Sequence, residues 1–175
     1  MTSLSGYLKK TLLICSALLL LSSFFQLLSP TSVHAAGIGT ELLVEYSLSE
    51  QGDLDTTLRF TLTNNEIIPS VLNYYTVTLP YTGIDDLAVR FGEGTLERSL
   101  HKQDVGTDVV INFGDLVIPK DGEISFSATF KKEQYVVVDE VASMTLPSDF
   151  VDVDTVGITV RYPTLWGDIG WVSAG

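Results

Sequence analysis

The sequence predicts an all-β protein, a two-sheet sandwich of about 8–10 short antiparallel strands, on three observations. From Glu41 to Tyr162 apolar and polar residues alternate in short runs, the period of strands that bury one face. Turn residues punctuate those runs, as in Asn64-Asn65, Tyr81-Thr82-Gly83-Ile84-Asp85 and Pro119-Lys120-Asp121-Gly122. Helical spacing is almost absent over the same stretch. Sheets with one apolar face each must pack against one another, so an immunoglobulin-like sandwich follows.

Each element has its own reason. Val44, Tyr46 and Leu48 share one face of the first run; Leu58, Phe60 and Leu62 share one face of the second, with Thr57, Arg59, Thr61 and Thr63 opposite. Tyr75, Val77 and Leu79 form the inward set of a third strand, which Pro80 ends. Leu87, Val89 and Phe91 follow, and Gly92-Glu93-Gly94 turns the chain towards a strand over Leu96 to Leu100. Val109, Ile111 and Phe113 mark the next strand. After Pro119-Lys120-Asp121-Gly122, with proline presetting φ and glycine accepting positive φ, comes the most regular alternation, Ile124, Phe126, Ala128 and Phe130. Tyr135 to Val138 and Val141 to Leu146 are weaker strands, and Val156, Ile158, Val160 and Tyr162 close the set before Pro163.

Ahead of this domain, residues 1–36 read as an export signal helix. Lys9 and Lys10 form the basic start, Leu12 to Leu28 the apolar run, and Val33 and Ala35 the small residues that peptidase pockets accept, with cleavage at Ala35 or Ala36. The alternative is an uncleaved anchor, because the run approaches the roughly 17–25 residues that span a bilayer. Ser16, Ser22, Ser23, Gln26 and Pro30 favour cleavage. Cys15 lies inside the run behind Ile14 rather than behind a small residue at its end, which argues against a lipidated cysteine. The expected organisation is therefore a signal over 1–36, a sandwich over 37–163, and a tail or linker start over 164–175 that carries Trp166 and Trp171. The expected location is extracytoplasmic, secreted or at the cell surface, with membrane contact only through an uncleaved signal.

Composition narrows the chemistry. Without residues 1–36, 139 residues remain, enough for one domain with its own core, carrying 8 basic and 22 acidic side chains for a net charge of −14. A surface that neutralises phosphates needs a basic patch, and Lys131-Lys132 is the sole basic pair, so nucleic acid is excluded as a partner. That portion holds no cysteine, so it has neither disulfides nor thiol chemistry.

Catalytic constellations are hard to build. His101 is the sole histidine after residue 36, and its neighbour Ser99 lies on the same strand, which does not bring nucleophile, base and orienting carboxylate together. Zinc has no ligand set, and no cofactor is implied. Calcium has candidates in Asp149, Asp152 and Asp154, yet Asp152 and Asp154 also fit the solvent face of a strand with Val151 and Val153 opposite. Leu79-Pro80-Tyr81-Thr82-Gly83 matches a sortase sorting pattern, but a charged strand follows it instead of an apolar stretch and basic tail. Tyr74, Tyr75 and Tyr81 could form a stacking patch for carbohydrate, against ordinary cross-strand packing.

The order of elements also carries a resemblance. Val44-Glu45-Tyr46-Ser47-Leu48, Leu58 to Asn65, Asn73 to Leu79, Ile124 to Phe130, Met144-Thr145-Leu146-Pro147 and Val156 to Pro163 together resemble the N-terminal sandwich of bacterial secreted or membrane-anchored transglutaminase-like proteins. In that family the sandwich precedes a papain-like domain whose Cys, His and Asp perform acyl chemistry. No such triad can be placed here. The resemblance implies a non-catalytic accessory or interaction module, a fragment of a larger cell-surface protein, whose partner is a protein or envelope component. The alternative is a freestanding secreted adhesion or binding module, calcium-dependent if the aspartates serve.

Overall fold

A computed structural model describes residues 37–84, 86–136 and 144–167. Within them nine strands form two sheets: β1 (Ile38–Leu48), β2 (Leu54–Asn64), β3 (Ser70–Leu79), β4 (Ala88–Phe91), β5 (Gly94–Thr95), β6 (Glu97–Gln103), β7 (Gly106–Ile118), β8 (Glu123–Lys132) and β9 (Thr155–Arg161), followed by a short 3-10 turn, Thr164–Trp166. The larger sheet runs β5-β4-β8-β2-β1-β9 and the smaller β3-β7-β6. This is the expected sandwich.

Alternation decides which side chains fill the space between the sheets. Leu42, Val44 and Tyr46 of β1, Leu58, Phe60 and Leu62 of β2, and Phe126, Ala128 and Phe130 of β8 are buried, facing Val77 and Leu79 of β3 and Val109, Ile111 and Phe113 of β7. Phe60 and Phe126 stack at 4.9 Å, and Tyr75 meets both rings edge-on at 6.0 and 5.6 Å. Such offset and edge-on arrangements match the charge distribution of aromatic rings and strengthen the core beyond its buried area.

Nearly every pairing is antiparallel, but β9 runs parallel to β1, Glu41 against Thr155 through Ser47 against Arg161. A parallel neighbour needs a long connection, and 22 residues separate β8 from β9. Asp154 fixes the start of this pairing: its N–H donates to the Thr40 carbonyl at 2.9 Å, and the Thr40 N–H donates to Asp154 Oδ2 at 2.7 Å.

Other expectations need correction or fall elsewhere. Residues 144–146, expected at the end of a strand, have no regular structure, and Tyr135 and Val136 lie past the end of β8, where a single bond from the Val136 N–H to the Gly52 carbonyl at 2.9 Å takes the place of a ladder. The Tyr135 hydroxyl donates to the Thr145 carbonyl at 2.6 Å, which holds the returning segment without a ladder. Trp166 is half-buried and packs against the core. The signal segment with Ala35 and Ala36, Asp85, residues 137–143 and the end of the tail with Trp171 lie outside the described residues.

Candidate functional site

Among the described residues the buried polar side chains, Thr56 apart, are occupied by structure. Asn64 ends β2 fully buried, and its Nδ2 donates towards the carbonyls of Ile68 at 2.9 Å, Ile118 at 3.1 Å and Pro119 at 3.1 Å. Its Oδ1 accepts from the Glu66 N–H at 3.0 Å and the Ser70 hydroxyl at 3.1 Å. One amide therefore ties the β2–β3 loop to the β7–β8 loop. At the other end of the core the Tyr46 hydroxyl donates to the Pro147 carbonyl at 2.7 Å, so its bond with the Tyr81 hydroxyl is one it accepts. Burial pushes the Tyr46 phenol up to about 12, with the Tyr81 bond opposing the rise. Burial also raises Tyr81, and its bond to Tyr46 adds to the effect. Both stay protonated and neutral at physiological pH, locking the 144–150 segment onto the sandwich.

Exposed apolar side chains gather on the outer face of the smaller sheet. On β3 the outward set is Val71, Tyr74, Thr76 and Thr78, and a bulge between Leu72 and Tyr74 keeps Tyr74 outward while Tyr75 enters the core. On β7 Val117 lies opposite Val71 and Asn112 opposite Tyr74. The loop held by Asn64 adds Ile67 and Ile68 at the same end. These side chains are well exposed, Ile67 by 82% and Tyr74 by 64%. Four of the five are β-branched and lose little rotamer freedom on docking. Exposed acidic residues occur on the neighbouring elements, Asp115 on β7, Glu123 at the start of β8 and Asp121 between them, the last paired with Lys120 at 3.6 Å.

The polar end of the same face has a different character. Asp108 accepts from the Thr78 hydroxyl and from Gln103 Nε2, both at 2.8 Å, and lies opposite His101 in the β6–β7 register. Ser99 and His101 are both exposed on β6, while both Asp108 oxygens are engaged by Thr78 and Gln103 rather than by His101. The three groups form no relay. The outer face of the larger sheet is a hydroxyl ladder in which Thr61 and Ser125 bond at 3.2 Å, a solvated surface with Leu43 its one strongly exposed large apolar side chain among the described residues.

The candidates from sequence are thus separated. Of the three tyrosines only Tyr74 is available to a ligand; Tyr75 and Tyr81 pack inside, so no stacking patch forms. Asp149 and Asp152 are exposed, while Asp154 Oδ2 holds the Thr40 N–H; among the described residues no group of three or more His, Cys, Asp or Glu is placed to hold a metal. In the sequence Ile67 and Ile68 follow the turn residues Asn64-Asn65 and belong to no alternating run. Two isoleucines between Glu66 and Pro69 were the available signal, since a loop seldom exposes adjacent aliphatics without a use.

No protein-family model matches the chain, and no curated protein matches its sequence. Among solved structures it is similar to a point mutant of carbohydrate-binding module CBM3b from the cellulosomal cellobiohydrolase 9A of Clostridium thermocellum, at 18% identity over 55% of this chain and 76% of that one, with a TM-score of 0.39. It is also similar to a non-cellulosomal cohesin from the archaeon Archaeoglobus fulgidus, at 16% identity over 73% and 93%, TM-score 0.37. A third likeness is to leukotriene A4 hydrolase from Saccharomyces cerevisiae, at 14% identity over 62% of this chain but 18% of that one, TM-score 0.40. At this level of similarity none of the three bears on what this chain does.

Proposed function

We propose that this chain is a non-catalytic β-sandwich interaction module of an exported cell-surface protein, docking a protein or envelope component through the apolar end of its smaller sheet. The observation that carries the reading is the rigid presentation of Ile67 and Ile68: Asn64 is committed to holding their loop, and Val71, Val117 and Tyr74 extend the patch across the sheet. A large exposed apolar patch costs solubility, and a binding partner offsets that cost. The chain's net acidity favours a partner with basic residues around an apolar contact. A non-catalytic role is supported by the commitment of the Tyr46 and Tyr81 hydroxyls to the Pro147 carbonyl and to each other, and of both Asp108 oxygens to Thr78 and Gln103.

The apolar leader with its small-residue exit supports export, and the sequence runs that resemble the N-terminal sandwich of transglutaminase-like proteins, such as Leu58 to Asn65 and Ile124 to Phe130, support an accessory role. A photo-crosslinking amino acid at Ile68, compared with one at the exposed Arg59 on the larger sheet, tests the docking surface in intact cells. A discrete adduct at position 68 alone is expected. Adducts at neither position, or equally at both, would sink the reading. The coding sequence after Gly175 tests the accessory role: a continuous frame with a Cys and a His supports it, and a stop codon there opposes it.

A further inference from the structure

Sheet edges invite new strands, and folded proteins blunt them with charge, bulges or brevity. Three of the four ends here are blunted. β5 has two residues, β6 carries Glu97, Arg98, His101 and Lys102 over seven, and β3 is broken by its bulge. Among the described residues β9 has no such protection. Its seven residues pair with β1 in unbroken register, and Thr155 to Val160 contains no charge and no proline.

The inner layer also ends early at β9. Val156, Ile158 and Val160 lie beside Leu42, Val44 and Tyr46 in the register, and those three are at most 1% exposed. One strand further out, Ile158 is 42% and Val160 36% exposed. A strand added at this edge would cover side chains whose direct neighbours already belong to the core.

The strand sequence says which strand fits. Thr155-Val156-Gly157-Ile158-Thr159-Val160-Arg161 is nearly palindromic in character about Ile158. Laid antiparallel against itself, Val156 meets Val160 and Ile158 meets Ile158 on the inner face, while Gly157 meets Thr159 and Thr155 meets Arg161 on the outer. No like charges oppose one another, and Arg161 remains free to keep its ion pair with Glu45 at 2.9 Å. A two-fold axis perpendicular to the sheet preserves the inner and outer faces of both copies, the isologous geometry of a symmetric dimer.

We propose that a second copy of this chain adds its β9 antiparallel to the first, with the axis at Ile158, joining two six-stranded sheets into one. One strand pair is smaller than a standard interface of about 1,600 Å², so the dimer is reversible and concentration-dependent. A formal charge of −12 on each copy opposes association, so salt strengthens it. This interface is separate from the Ile67–Ile68 end and stands or falls independently of it.

Cysteine crosslinking in the full chain tests the register. With Cys15→Ser removing the native thiol, Ile158→Cys places two sulfurs on directly opposed residues whose Cα atoms are about 4.5–5.5 Å apart, within the span of a disulfide. Mild oxidation of intact cells with copper phenanthroline should yield a species of twice the chain mass from Ile158→Cys and none from Arg59→Cys. No such species, equal amounts from both positions, or an adduct with a chain of another mass would each overturn the proposal. Sedimentation equilibrium gives a second readout: Ile158→Lys, with two ammonium groups face to face, should lower the association constant at least tenfold while leaving the circular dichroism of the strands unchanged. A folded Ile158→Lys protein that dimerises as before refutes it.

Discussion

Asn64 is the side chain whose replacement the structure judges most sharply. Its amide reaches three carbonyls and accepts from two donors, and the residue is 0% exposed. Two N–H groups cannot fully satisfy three carbonyls, so the site is worth about four hydrogen bonds rather than five. At about 1 kcal/mol net for each bond, with a further cost for groups left buried and unpaired, Asn64→Ala should destabilise the domain by roughly 3–5 kcal/mol. Urea denaturation followed by tyrosine fluorescence measures the loss. Asn64→Asp distinguishes bonding from packing, because the introduced carboxylate still accepts from Glu66 and Ser70 but faces three carbonyl oxygens. Burial among those oxygens raises the pKa of that carboxyl above its unfolded value. The deficit of Asn64→Asp should therefore shrink as pH falls, since a protonated carboxyl can donate to one carbonyl. A loss below about 1 kcal/mol for Asn64→Ala, or a pH-independent deficit for Asn64→Asp, would refute this account of the loop tie.

Further outcomes follow from the same structure. Tyr46→Phe deletes the donor to Pro147 and the acceptor for Tyr81, and should cost about 2–3 kcal/mol in chemical denaturation. Because the folded phenol is raised to about 12, its stabilisation is complete below pH 10, the unfolded value, and is lost as pH rises through 12; the wild-type alkaline unfolding curve should be steeper than that of Tyr46→Phe. Thr56 points into the core with a buried hydroxyl that has no hydrogen-bond partner among the described residues, so Thr56→Val should stabilise by about 0.5–1.5 kcal/mol, read as a raised melting temperature. Gly52 has φ +86°, and a Cβ there would lie 2.0 Å from the Val136 carbonyl oxygen, so Gly52→Ala should cost about 2–4 kcal/mol by the same assay. Excess calcium should leave the melting temperature unchanged, because Asp154 already spends an oxygen on Thr40; a rise that Asp149→Asn and Asp152→Asn abolish would restore the metal reading.

Much of the architecture was legible because alternation is a direct report of burial. Leu58, Phe60 and Leu62 point inward and Arg59 and Thr61 outward for the reason that their spacing declares. Where that periodic signal is interrupted, reading failed. The bulge between Leu72 and Tyr74 shifts the register of β3, so that Leu72 and Tyr75, three positions apart, both face inward, and nothing local to the sequence announces that shift. Tyr81 sits in a run of turn residues, yet its hydroxyl meets Tyr46, 35 positions away. Asn64 looked like a turn marker, although its amide is the tie between two loops. These roles depend on partners distant in the chain, and neither composition nor spacing carries that information.

By itself the sequence determined the sandwich, the inward set of most strands, the acidic surface and the lack of a thiol beyond Cys15, because each follows from residue chemistry and a period of two. Only tertiary structure decided the neighbours: that β9 lies parallel to β1, that Ile67 and Ile68 join Val71 and Val117 at one end, and that β9 is the outermost strand of its sheet among the described residues. A strand's alternation says which side is buried but not which strand it lies beside. That choice belongs to long connections and to hydrogen bonds such as those between Asp154 and Thr40, which exist only once the chain has folded.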